Sequence, residues 1–265
     1  MKNDKHIFNP KPLLFTMITM VLLCVSCVDE NFNPYIDATE DIIITNEIET
    51  NIKAISVVYK EVETISENMK LGQALGVLIN EERNEWEYNF DTDLLSGKIV
   101  VAYSEQNVDS EIKNVDCSNL KIHYYENIWI MLFGSLFLEN IGTSQQNKKY
   151  SIKTIKFGYA DISISKTPNI ADNSDYIVNY NFAKENVSAK LSLSGSSYGQ
   201  NQSSGNYHQE VTDIIIDITT LKIISGKMNI IIDKYGENFP IEVEYSKSGR
   251  TVKYRGNTQT TNYDN

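Results

Sequence analysis

The chain has 265 residues, 41% of them hydrophobic, and a formal net charge of −11. That acidity argues against nucleic acid and against a polybasic grip on anionic lipid, since both need Lys and Arg in excess on one face. Its three cysteines, Cys24, Cys27 and Cys117, offer no disulfide framework, so stability has to come from packing.

Lys2, Lys5 and Lys11 precede a stretch from Leu13 to Val25 that is apolar apart from Thr16 and Thr19. Such a run fits the roughly 7–15 residues of a secretory h-region and is short of the roughly 20 that span a bilayer. The run ends Leu22-Leu23-Cys24-Val25-Ser26-Cys27, which reads as a lipobox with one departure, Cys24 at the place where Leu is usual. Residues 1–26 are therefore expected to leave as a lipoprotein signal peptide, with Cys27 becoming the lipidated amino terminus. Several acyl chains on one residue, at about 0.8 kcal/mol per buried methylene, suffice for lasting attachment. The departing segment carries three Lys and one Asp, so 239 residues remain with a charge of −13, enough for one large domain or two small ones. Asp29 and Glu30 do not match inner-membrane retention by an Asp directly after the lipidated Cys, and the expected address is the outer membrane, on its surface or periplasmic side.

Residues 27–37 read as a lipidated tether. Asp37 and Glu40 then form a D-x-x-E start, and Ile44, Ile48, Ile52, Ile55, Tyr59, Val62 and Ile65 recur at three-to-four spacing, which predicts an amphipathic helix over 38–72 with Glu and Lys on its other face. From Trp86 onward the period is two. Trp86 to Phe90, Ile152 to Phe157 and Ile241 to Tyr245 alternate as strands with one wet face. Turn signals fall at Asp93–Gly97, Glu105–Asp109, Asn140–Gln146, Thr167–Asp175, the Gly/Ser/Asn tract Ser194–Asn206, Tyr235–Asn238 and Ser246–Gly249, which implies around ten antiparallel strands over 73–265. Glycines recur beside or inside strands, in Ser96-Gly97-Lys98-Ile99, Phe133-Gly134-Ser135, Ser194-Gly195 and Ser225-Gly226-Lys227-Met228, where they suit bulges or bends of a long, coiled sheet.

This order of features resembles poorly characterised outer-membrane lipoproteins of the Bacteroidota. The residues that carry the resemblance are Cys27-Val28-Asp29-Glu30, Asp37-Ala38-Thr39-Glu40-Asp41, Ser96 to Val101, Gly134 to Asn140 and the hairpin Phe239 to Tyr254. It implies an envelope location and a helix followed by a β ladder, and it supplies no catalytic residues.

His123 and His208 lie far apart in sequence, outside any metal-spaced cluster, so no metal site and no cofactor beyond the covalent lipid on Cys27 is expected. Neither a G-x-S-x-G elbow nor a P-loop nor a dinucleotide fingerprint is present. Cys117 reads as a small core or turn residue. Ile128 to Phe133 is apolar at both alternating sets, which predicts burial on both sides or beneath the helix. The rival use of its aromatic residues, with Tyr124 and Tyr125, is a sugar-stacking platform. The tract Ser194–Asn206 reads as a long hairpin tip or crossing loop, with Tyr198 and Tyr207 as further ligand contacts.

The expectation is a mainly β protein, a long antiparallel meander forming either a single twisted sheet or a sandwich, with one N-terminal amphipathic helix packed on it. The function expected is a non-enzymatic, lipid-anchored binding or assembly module with a protein or glycan partner. The alternative is a β-rich carrier, or a glycan- or lipid-acting enzyme, with a sheet-enclosed cavity.

Overall fold

The computed structural model describes residues 34–70, 76–104, 112–125, 128–142, 147–162, 169–181, 190–201, 205–217, 220–234 and 237–263. One helix, α1 (Pro34–Lys70), precedes thirteen strands: β1 (Val77–Asn80), β2 (Glu85–Asp91), β3 (Leu95–Tyr103), β4 (Ile112–Tyr125), β5 (Ile128–Asn140), β6 (Asn147–Asp161), β7 (Ile170–Asn181), β8 (Lys190–Asn201), β9 (Gly205–Asp217), β10 (Lys222–Lys234), β11 (Glu237–Ser246), β12 (Gly249–Tyr254) and β13 (Asn257–Asn262). The strands form a single antiparallel sheet in sequence order, and residues 40–265 form one compact unit. The meander is thus one sheet and not a sandwich. It has more strands than the turn signals suggest because β1 is very short and β13, Asn-Thr-Gln-Thr-Thr-Asn, carries no apolar residue and is held by its ladder to β12.

Helix α1 opens at Pro34, inside the stretch read as tether. Asn33-Pro34 is itself a start signal, because proline at the first helical position gives up a backbone donor that has no partner there anyway. All seven residues of the predicted stripe are buried, with Ile44, Ile55, Tyr59 and Val62 fully so. The expected wet face is narrow along the middle of the helix, where Lys53, Lys60 and Glu61 are half-buried and Thr64 is exposed. Glu49, Thr50, Asn51, Ala54, Ser56, Val57, Val58 and Glu63 are buried as well. A helix buried over most of its circumference against one sheet, with Ile43, Asn46 and Thr64 left exposed, requires that sheet to curl around it, which follows from its size: twisted open sheets beyond about ten strands curl or split.

The helix hydroxyls tolerate this interior because their hydrogen bonds are made locally. Thr45 donates to the Asp41 carbonyl at 2.8 Å, Ser56 to Ile52 at 2.8 Å and Ser66 to Val62 at 2.8 Å, each one turn back. The carboxylates are matched from the sheet. Arg255 donates from Nε to Asp41 at 2.6 Å, Arg250 and the Tyr245 hydroxyl donate to Glu49, and Lys113 (3.1 Å) and the Tyr150 hydroxyl (2.9 Å) donate to Glu63. At 100° per residue these three acids fall within an arc of about 80° on the helix.

The contacts also order the helix against the sheet. Asp41 meets the turn after β12, Glu49 meets β11 and β12, Tyr59 packs edge-on against Tyr150 of β6, Glu63 meets β4 and β6, and Met69 lies against the hydroxyls of Tyr88 and Tyr103 in β2 and β3. Strand number falls as helix number rises, so α1 lies across the strands. Its rise from Asp41 to Met69, about 42 Å, is close to the roughly 48 Å separating β12 from β2 in a flat sheet.

A seam of irregular register crosses the sheet where the recurrent glycines stand. Register shifts lie at Lys98/Val100, Asp116/Lys121, Phe133/Ser135, Lys153/Phe157, Leu193/Gly195 and Ser225/Lys227. In β4, β6 and β9 the inward set changes phase across the seam, from Cys117 to Leu120, from Thr154 to Phe157 and from Val211 to Ile214. An inserted residue there bends the strand and tightens its twist. The glycines face those insertions: at Gly226 (φ 112°) an added Cβ would lie 2.5 Å from the Asp213 carbonyl oxygen, and Asp213 itself has φ 51°.

Two readings of particular segments are corrected. Ile128–Phe133 is buried on one face, through Ile130 and Leu132, while Trp129, Met131 and Phe133 are half-buried outside and Ile128 is exposed. The covering helix lies on one side only, so the second apolar set is only half-buried. Ser194–Asn206 is not a loop: Ser194 to Asn201 belong to β8 and Gly205 and Asn206 to β9, while residues 202–204 lie outside the described residues. Pairing of β8 with both β7 and β9 satisfies its backbone, which outweighs the weak strand preference of Ser, Gly and Asn.

Gly226→Ala should cost on the order of 2 kcal/mol in urea unfolding, from a strained φ plus the collision with Asp213. Gly256→Ala, at φ 77° with nothing within 4 Å of an added Cβ, should cost about half as much or less. Lys113→Met strands a buried carboxylate and should cost about 3–5 kcal/mol, whereas pairing it with Glu63→Leu should restore most of that loss; equal losses in the single and double variants would contradict the assignment.

Candidate functional site

Alternation along β6 to β9 sorts their residues onto two surfaces. Inward, Thr154, Asp172, Ser174, Tyr176, Ser197, Tyr207 and Gln209 are all buried. They form a polar patch in an otherwise aliphatic interior. Ser174 donates its hydroxyl to Asp172 at 2.8 Å and Tyr207 donates at 3.1 Å, while the Thr154 hydroxyl accepts the Ser174 backbone N–H at 2.6 Å and Gln209 donates its amide to Tyr176. Asn51 is the residue of α1 beside the same carboxylate. Burial pushes the Asp172 carboxyl up to about 6, against the opposing pull of these donors. Burial and the nearby negative charge in turn push the Tyr207 hydroxyl well above the usual tyrosine range.

Outward, the same strands carry a shallow depression of about 290 Å³, lined by Lys153, Asn173, Asp175, Ser196, Tyr198 and His208 over a floor at Thr154, Ser174 and Ser197. The ladder places Tyr198 directly between Asn173 and His208, and Ser196 between Asp175 and Glu210, with Asp175 also opposite Lys153. Asn173 Oδ1 accepts the Lys156 backbone N–H at 3.0 Å, which anchors one wall to the β6 bulge. His208 Nε2 lies 3.6 Å from Glu210 Oε1. The arrangement offers donors, acceptors and an exposed ring on strands that are paired on both sides.

The structure separates the predicted contact residues. Tyr198 is 59% exposed and lines the depression, while Tyr207 is 1% exposed and faces inward, so as a surface contact it is corrected. Tyr198 and Tyr207 sit on strands in opposite phase, which reading the segment as a loop had concealed. Tyr124 and Tyr125 end β4, and their side chains lie outside what the structure describes, as does Cys27. Trp129 is stacked on His123 at 4.9 Å and is thereby partly covered. Cys117 is a buried free thiol of the core, pushed up by burial. Lys153, Asn173, Asp175 and Ser196 were missed; the alternation of Lys153 and of Asn173/Asp175 with buried neighbours was available as a signal, although Thr167–Asp175 read as a turn. Among the described residues no group of three or more His, Cys, Asp or Glu could hold a metal ion.

Because folded Asp172 binds its proton more tightly than the unfolded chain, its contribution to stability falls as pH rises from about 4 to about 6 and stays low above that. Asp172→Asn removes the charge, so the stability of the variant relative to the parent should rise by on the order of 2 kcal/mol between pH 4 and pH 8. Denaturation midpoints of both proteins across that range would check it, and a difference flat in pH would refute the buried carboxylate.

The chain matches no protein-family model, no curated protein and no solved structure.

Proposed function

We propose that this protein is a lipid-anchored, non-enzymatic binding or assembly module of the bacterial cell envelope, tied to the outer membrane through Cys27. The observation that carries the reading is the filled interior: Ile44 to Ile65 of α1 occupy the space that the curled sheet encloses. A carrier or a glycan- or lipid-acting enzyme on this scaffold would need that space for its ligand. What the sheet leaves for a partner is its outer surface, where the depression on β6 to β9 is open and polar. The lipobox and the resemblance to outer-membrane lipoproteins of the Bacteroidota support the anchoring. Among the described residues no helix is long and apolar enough to cross a membrane, so attachment in this reading rests on the acyl chains.

Cells expressing the full chain and grown with radiolabelled palmitate should incorporate label into it. Cys27→Ala should abolish the label and move the protein to the soluble fraction. Organic extraction of the purified protein should release no stoichiometric non-covalent lipid; recovery of one lipid per chain would favour the carrier.

A further inference from the structure

We propose that the depression on β6 to β9 is a binding site for a neutral saccharide, with Tyr198 as the stacking platform and Asn173, Asp175 and Ser196 as hydroxyl partners. The inference rests on the reading of the chain as a binding module and names the class of its ligand. Among the described residues Tyr198 is the one exposed aromatic side chain, at 59%, in a chain with sixteen tyrosines, nine phenylalanines and two tryptophans. It stands near the middle of the sheet, on a strand hydrogen-bonded on both sides. The fold therefore fixes the backbone that bears the ring without using the ring for packing. An aromatic ring so placed presents an apolar face with a polar tip, suited to ligands that are themselves apolar on one face and hydroxylated at the edge.

The surroundings select among such ligands. Asn173 and His208 flank Tyr198 at one strand spacing on either side, and Asp175, Ser196 and Glu210 form a parallel row two residues along the strands. This grid measures about 10 by 7 Å, the footprint of a mono- or disaccharide, and the volume of about 290 Å³ is at the small end for ligand sites. The side chains of Asp175 and Lys153 make no hydrogen bond or ion pair with other described residues, so both can engage hydroxyls. Charge argues against an anion, because Lys153 and His208 are each set beside a carboxylate, Asp175 and Glu210. The acidic chain as a whole would repel one further. An apolar ligand would in turn strand the amide and carboxylate that rim the ring.

The test is affinity electrophoresis of the full-length chain, solubilised in a polyoxyethylene detergent whose headgroup carries no sugar, through gels containing neutral mannan, glucan, xylan or galactan, with polygalacturonate as the acidic comparison. At least one neutral polymer should retard the protein. Tyr198→Ala should weaken that retardation about tenfold, Asp175→Ala should weaken it several-fold, and Tyr198→Phe should preserve it. All three substitutions are at exposed positions, and a parental unfolding midpoint confirms that they fold. No retardation by any neutral polymer, retardation by polygalacturonate only, or binding unchanged in Tyr198→Ala would overturn the proposal. Palmitate labelling is independent of this result, so the anchoring and the saccharide site fail separately.

Discussion

The helix buried inside a single sheet imposes the condition that the rest of the molecule meets. A fully buried, ionised helix carboxylate has to find a cation and further donors, because an unpaired buried charge costs several kcal/mol, whereas burial pushes the half-buried Glu47 carboxyl up to about 7. Asp41, Glu49 and Glu63 find them in Arg255, Arg250 and Lys113, with Tyr245 and Tyr150 adding hydroxyl donors. Two of the three arginines in the chain are used this way, and both lie at the last hairpin. Arginine suits the task, since its planar fork can hold a carboxylate and a neighbouring amide together, as Arg250 does with Glu49 and Asn46. Removal of such pairs in favour of apolar residues can be neutral, so their contribution lies less in net stability than in fixing where along the helix each strand sits.

Curling the sheet is the complementary requirement, and the seam of bulges and glycines meets it. Bulges add local twist and bend, and a glycine in the neighbouring strand leaves room for the displaced backbone. Because insertions in β4, β6 and β9 shift the phase of alternation, apolar residues on both sides of the seam still point at the helix. The polar patch around Asp172 lies in β6 to β9, beside the β6 bulge, and Asn51 of α1 is beside it. Thr154, Ser174 and Ser197 of that patch also border the outer depression, on the opposite face from their inward side chains. The same local geometry thus bears on the interior and on the outer surface.

A sheet whose interior is occupied has its outer face left for interaction. Exposed apolar residues elsewhere in the sheet include Val77 to Ile79, Ile128, Ile155 and Ile231, and exposed apolar groups are ordinary for a protein surface. The depression differs because an exposed ring and unpaired polar groups converge on strands that cannot easily move. Tethering such a surface by a lipid would confine it near the bilayer and raise the frequency of encounter with other envelope components.

Much of the local structure was legible in the sequence. The three-to-four spacing of Ile44 to Ile65 located the helix, alternation located most strands, and Gly97, Gly134, Gly195 and Gly226 marked the bends, because each of these signals arises from backbone geometry within a few residues. The second buried face of α1, the choice of one sheet over a sandwich, and the opposite fates of Tyr198 and Tyr207 were decided only by the tertiary structure. Arg250 and Glu49 lie 201 positions apart and Arg255 and Asp41 lie 214 apart. No local period encodes a partner at that distance, and a glutamate on a helix has the same sequence pattern whether water or a buried guanidinium receives it.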